Sequence, residues 1–466
     1  MLDLIVRNAV LPDGRDAITI GCENGRIVSL GREAGAEARR VIDAGGSLVS
    51  PPFVDAHFHM DSTLTYGRPR VNRSGTLLEG IELWGELKPS LTHEEIRERA
   101  LELCRWAVAR GTLAIRSHVD VCDPSLRAVK ALLEVRELIK AEIDLQLVAF
   151  PQDGFLRSPV GETGLTKALD LGVDVVGGIP HFERTMADGA ASVERLCRIA
   201  ADRGLLVDMH CDETDDPHSR NVEVLARETI RHGLQGRVVG SHLTAMHSMD
   251  NYYVSKLIPL MHEAAMTAVA NPLINITLQG RHDTYPKRRG MTRIKELLAA
   301  GVNVACGHDC VMDPWYPLGS HDMLDVAHMG LHVGHMTGDA EMRAMFDCVT
   351  INAARALHLD GYGLQPGCWA DMVVLQADSP VDALRLRPAR LAVIRRGRVI
   401  AETSRAVPTV QLAGKTTQIT FHIKQSSPPS RSAPGAGTAA TAPEDPEGWK
   451  RRTRGAVSAP ERSEEQ

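Results

Sequence analysis

Long hydrophobic runs are missing from this chain of 466 residues. The opening stretch Met1-Leu2-Asp3-Leu4-Ile5-Val6-Arg7 places charges inside a short apolar segment and has no cleavage signal, so it reads as a strand. No transmembrane span is expected, and the cytoplasm is the expected location. Cys-x-x-Cys is missing too. The nine cysteines run from Cys22 to Cys368, an odd number without paired spacing, which argues against a disulfide framework and a structural zinc knuckle. Nor is positive charge in excess. A formal net charge of -6, with no concentrated basic stripe in the folded part, argues against nucleic acid or a membrane surface as partner. A small or neutral ligand fits that balance better.

What is present is enough apolar material for a large core. Hydrophobic residues make up 43% and charged residues 24%, over a length that suits one large domain with an accessory part. Residues 1–50 alternate short β-rich runs with Gly, Asn and Asp turns, and the same style returns over 366–415, as in Met372-Val373-Val374-Leu375. Two such segments at opposite ends predict one accessory β-sandwich built from both. Between them, over 51–365, eight apolar runs alternate with helical patterns, among them Thr92 to Arg110, Val193 to Gly204 and Met291 to Gly301. Thr92 and Glu95 stand at capping-box spacing. The expected fold is therefore α/β, a (β/α)8 TIM-like barrel, with a doubly wound open sheet as the alternative. Residues 425–466, rich in Ser, Pro, Gly, Ala and mixed charge, are expected to form a disordered tail.

Every one of the eight runs ends in polar residues, and in such a barrel those ends converge on one site. The first end, Phe53-Val54-Asp55-Ala56-His57-Phe58-His59, puts two histidines at i and i+2. Strict alternation along a strand predicts Asp55, His57 and His59 on one face and Val54, Ala56 and Phe58 on the other. His57 and His59 with His210 and Asp309 make a four-ligand set, and Gln152, Glu213 and His242 stand nearby. Three imidazoles and one carboxylate suit one divalent transition metal, Zn2+ or Fe2+, rather than magnesium or calcium. His118, His181 and Glu183 also close strands and are expected to support the site. His308, one residue off the Asp309 face, should point away from the bore. Each residue alone is as compatible with a buried structural role; their joint placement favours a metal centre.

Several long segments carry a family resemblance. They include Ser74-Gly75-Thr76-Leu77-Leu78-Glu79-Gly80, Val148-Ala149-Phe150-Pro151-Gln152, His210-Cys211-Asp212-Glu213, Gln279 to Gly290 and Asp313-Pro314-Trp315-Tyr316. Over residues 1 to about 415 the chain resembles the bacterial cytosine deaminases of the amidohydrolase superfamily. The resemblance implies a mononuclear metal site at His57, His59, His210 and Asp309, and a barrel enzyme that forms homo-oligomers. It further implies Gln152 as reader of the pyrimidine edge, Glu213 as proton shuttle, His242 as a catalytic histidine and Trp315 as pocket wall, with Phe150 among the substrate contacts. The other deaminase class, with His-x-Glu and Pro-Cys-x-x-Cys, has no counterpart in the chain.

The residue types support the same chemistry independently. A metal lowers the pKa of its water to about 7; Asp309 and His242 can take the water's proton, while Glu213 protonates a ring nitrogen and relays to the leaving amine. The expected activity is hydrolysis of a C–N bond of a cyclic amidine, cytosine or 5-methylcytosine. Ring opening of a cyclic amide is one alternative, but relatives of that kind carry a carboxylated lysine, and the fourth strand here ends in Ile179-Pro180-His181-Phe182-Glu183 without one. A non-catalytic metal-binding barrel is the other. One departure stands out: Cys310 follows Asp309 where cytosine deaminases carry a second Asp. A thiol there leaves room for a methyl at C5 and contacts it favourably, worth roughly 0.8 kcal/mol for one methyl. Cys310 thus predicts turnover of 5-methylcytosine.

Overall fold

The computed structural model describes residues 1–32 and 37–421. The described residues up to 406 form one unit and those from 407 to 421 belong to another. In the first unit eight parallel strands lie in sequence order around a barrel: β1 (Phe53–Phe58), β2 (Thr112–Asp120), β3 (Asp144–Phe150), β4 (Val175–Gly178), β5 (Leu206–Cys211), β6 (Val238–His242), β7 (Thr267–Ala270) and β8 (Asn303–Cys306). All eight predicted strands are present. They are buried on both faces, which is why they read as near-continuous apolar runs.

Closure comes just past β8. Asp309 N–H donates to His57 O at 2.8 Å and His59 N–H to Asp309 O at 2.9 Å, with a parallel bridge between Phe58 and Asp309. The approach is close enough to demand glycine: a Cβ at Gly307 would lie 2.6 Å from His57 Cβ.

The bore is layered. At its N-terminal end Val54, Ala56, Ala114, Val239, Val269 and Ala305 pack against Ala353, Ala354, Ala356 and Leu357 at the helix Ile351–Ala356. One step along β2, Arg116 donates from Nε to Gln146 Oε1 (2.7 Å), from Nη1 to Asp208 Oδ2 (3.0 Å) and from Nη2 to Ala356 O (2.8 Å). Ser241 Oγ donates to the second oxygen of Asp208 at 2.7 Å. Two residues further, His118 opens the layer of imidazoles.

Strict alternation fails in β1. Asp55 pairs with Ile115 and Phe58 with Ser117, so β1 holds one residue more than β2 over this stretch, a bulge of the kind that re-aims side chains beside functional sites. Val54 and Ala56 therefore face the bore, the side His57 also faces, whereas Asp55 turns outward. Its Oδ2 lies 2.9 Å from His321 Nε2, and its Oδ1 accepts from His308 N–H at 2.9 Å. Phe58 is outside as well, 4.8 Å from the His321 ring. The predicted face shared by Asp55, His57 and His59 is corrected accordingly.

The helices follow their caps. His93–Ala109 begins after Thr92, whose hydroxyl accepts from Glu95 N–H at 3.1 Å, but the Glu95 carboxylate turns to Arg68 instead of completing the box. The helix predicted from Val193 begins earlier, at Met186, capped by Thr185. That predicted over Met291 to Gly301 is only Ile294–Ala299.

Both ends of this unit supply the accessory sheets. One has the order Arg26–Gly31, Ile18–Glu23, Leu2–Ala9, Ala38–Asp43; the other Arg398–Glu402, Arg390–Arg395, Met372–Leu375, Leu48–Ser50. Leu4, Val6, Val49, Val374 and Ile394 share one core. The strand Ala38–Asp43 and the helix Pro380–Leu386 are additions to the sequence reading. In the second unit Thr409–Leu412 and Lys415–Gln418 form a hairpin, so the chain divides within the segment 366–415. The predicted tail, 425–466, lies outside the described residues. Among those described, no helix is long and apolar enough to cross a membrane.

Candidate active site

The C-terminal strand ends surround a small cavity. Of the expected site residues, His59, Gln152, His210, Glu213, His242, Asp309, Cys310 and Trp315 line it. His57 sits directly behind, fully buried. Phe150 does not line the cavity. Its ring stacks on His210 at 4.1 Å and 17°, where it can hold that imidazole in place.

Four expected ligands converge. His59 Nε2 and His210 Nε2 are 2.9 Å apart, and Asp309 Oδ1 is 3.5 Å from the Nε2 atoms of both His57 and His59. Such separations suit donors each about 2.1 Å from a common ion. His118 belongs to the same cluster, its ring 4.1 Å from that of His57. Burial, followed by the neighbouring imidazoles, holds His57 and His210 well below the usual histidine range, and burial does the same to His59 and His242. These rings are neutral, the form that binds metals. Both nitrogens of His57 and Nδ1 of His210 are buried without a hydrogen-bond partner, an arrangement that is costly unless another group completes it. Among the described residues, no lysine or arginine lines the cavity. A divalent metal fits this donor set.

Beside the ligands, Glu213 Oε1 lies 3.4 Å from His242 Nδ1, and burial pushes the Glu213 carboxyl up to about 8. Burial also raises Asp309 well above the usual carboxylate range, with Glu213 and Asp313 adding to it. His242 Nε2 is 3.7 Å from Asp309 Oδ2. Both His242 (φ 70°) and Asp309 (φ 68°) have left-handed backbone, strain of the kind that clusters at functional sites. Cys310 is buried, its Sγ 3.6 Å from Asp309 Oδ1.

Support comes from residues the sequence reading named only in passing or not at all. Asn275 Nδ2 donates to His242 Nδ1 at 3.0 Å, with Asn271 Nδ2 at 3.3 Å from the same atom. Asn271 directly follows β7, and the i+4 spacing to Asn275 on the following helix was the available signal. Glu183 accepts the N–H groups of Phe155, Leu156 and Arg157 at 2.7, 3.0 and 2.8 Å, anchoring the loop that follows Gln152. Asp212 accepts from Ser219 Oγ and the N–H groups of Asn221 and Val222, tying down the chain between His210 and Glu213. His308 does point away: its Nδ1 is 2.9 Å from Cys310 O and its ring stacks on His321. His181 is not on the cavity wall. Leu77, Ile179, Ile274 and Leu278 complete that wall; Ile274 and Leu278 share the short helix Pro272–Leu278, and nothing in the apolar character of the four set them apart from core residues.

Residues 40–417 match the amidohydrolase family. N-isopropylammelide isopropyl amidohydrolase of Pseudomonas sp. (strain ADP) is 32% identical over 412 residues, covering 86% of this chain and 97% of that protein. The chain belongs to the amidohydrolase family. This amidohydrolase is also 31% identical to the pterin deaminase of Rhizobium rhizogenes over 363 residues, 77% of this chain and 82% of that protein. Among solved structures, 5-methylcytosine deaminase from Klebsiella pneumoniae with phosphonocytosine superposes with a TM-score of 0.84 at 44% identity, covering 87% of this chain and 99% of that one.

Proposed function

We propose that this amidohydrolase is a metal-dependent deaminase that converts 5-methylcytosine to thymine and cytosine to uracil, releasing ammonia. The observation that carries the reading is Cys310, which directly follows Asp309 and lines the same cavity as Gln152 and Glu213; the 44% identity to the Klebsiella pneumoniae enzyme supports it. His57, His59, His210 and Asp309 would hold one Zn2+ or Fe2+, since three imidazoles and a carboxylate suit borderline metals. Held there, the metal lowers the pKa of water to about 7 and so makes a nucleophile available at neutral pH.

The side chains do the rest. The Gln152 amide offers both a donor and an acceptor to the pyrimidine edge. Glu213 gives its proton to the ring nitrogen beside C4, making that carbon electrophilic, while Asp309 takes a proton from the attacking water and His242 orients that water. The C4–N bond then breaks as the proton of the new hydroxyl passes to the amino group. Ammonia leaves, a C4 carbonyl remains, and the proton held by Asp309 returns to Glu213. Asn275, donating to His242 Nδ1, keeps the proton of that ring on Nε2, facing Asp309.

The test compares kcat/KM for cytosine and 5-methylcytosine in the parent and in Cys310→Asp, with metal analysis of each sample. A carboxylate in place of the thiol meets the C5 methyl and is desolvated by it, so the variant should shift toward cytosine by roughly tenfold or more. A parent inactive on 5-methylcytosine, or an unchanged preference in Cys310→Asp, refutes the assignment of Cys310 while leaving deamination of cytosine open to the same assay.

A further inference from the structure

Glycine is the poorest helix-interior residue after proline, yet the helix Leu77–Leu87 carries two, Gly80 and Gly85. Gly85 faces open space, where a Cβ would meet no heavy atom within 4 Å. Gly80 is different. A Cβ there would lie 2.2 Å from Cδ1 and 2.3 Å from Nε1 of Trp315, and the obstacle is a rigid ring rather than the tip of a flexible chain. The indole is confined on other sides. Trp84, held by its own Nε1–H donated to Asp120 Oδ2 at 2.9 Å, is 6.4 Å away, and His59 is 6.3 Å away. Because Trp315 lines the cavity together with His59 and Cys310, an indole pushed off the helix moves toward the bound base.

We propose that Gly80 is a positioning residue for specificity: by seating Trp315 against the helix it keeps the cavity wide enough for a pyrimidine that carries a 5-methyl group. The inference rests on the deaminase reading above. A cavity narrowed by the shifted indole loses the methylated base first, since cytosine is smaller by that one group. Gly85→Ala supplies the control, because it gives the same helix the same gain in propensity without touching the ring.

The experiment uses the full-length metal-loaded protein. Gly85→Ala should keep the parent's kcat/KM for both bases and its near-ultraviolet circular dichroism. Gly80→Ala should alter the indole bands and lower kcat/KM for 5-methylcytosine relative to cytosine by roughly ten- to 200-fold, the range for one methyl group in an apolar pocket. Combining Gly80→Ala with Trp315→Phe, whose smaller ring leaves room for the Cβ, should restore the ratio seen in Trp315→Phe alone; this pair carries the test where the single change does not fold. A parent-like ratio in Gly80→Ala, or equal losses on both bases that Trp315→Phe does not relieve, overturns the proposal. An unchanged indole spectrum overturns the positioning of Trp315 by itself. A parent inactive on both bases instead overturns the deaminase reading, and the substrate half of the proposal with it.

Discussion

Glu213 and His210 lie three residues apart, and their substitutions should fail differently. Glu213→Gln fills the same space but cannot carry a proton, so kcat should fall by about 10² to 10⁴ while bound metal and melting temperature stay at parental values. Ammonia release and metal analysis on one preparation decide it; turnover near the parent's would remove Glu213 from the reaction. His210→Ala removes a donor whose Nε2 lies 2.9 Å from His59 Nε2. Metal should be lost first, and full occupancy in that variant would show the ligand assignment to be wrong.

Individual elements act on the chemistry through the loops that they hold. The turn after β3 hangs on one carboxylate, Glu183, which accepts three backbone N–H groups from Phe155, Leu156 and Arg157. In Glu183→Gln a neutral amide with a single oxygen replaces two charged acceptors, leaving buried N–H groups short of a partner at a cost of about 1 to 3 kcal/mol. Denaturant unfolding should register that loss. Because Gln152 leads directly into that turn, KM should rise more than kcat falls; a change in kcat alone would mean that the turn does not govern base binding.

Across the whole molecule, Arg116 joins β2, β3, β5 and the helix that plugs the bore. Arg116→Met keeps much of the volume but leaves Asp208 without its guanidinium, so stability should drop by about 3 to 5 kcal/mol. Replacing both partners, Arg116→Met with Asp208→Leu, should recover most of it, since no unpaired charge is then buried. A double variant as unstable as the single would locate the cost in packing rather than charge. Both outcomes are read from the same unfolding curves.

The chain by itself determined which residues could form the site. Eight apolar runs alternating with helical periods define a parallel barrel, and a parallel barrel gathers its strand ends, so His57, His59, His210, Glu213, His242 and Asp309 could be named from order alone. Only the tertiary structure decided how they face. The bulge in β1 turns Asp55 outward and His57 inward because it depends on pairing with β2, more than 50 residues later in the chain, and local alternation carries no information about register. The walls Leu77, Ile179, Ile274 and Leu278, and the contact of Gly80 with Trp315, arise the same way. Each is a meeting of segments far apart in sequence, fixed by packing in three dimensions rather than by any pattern within one element.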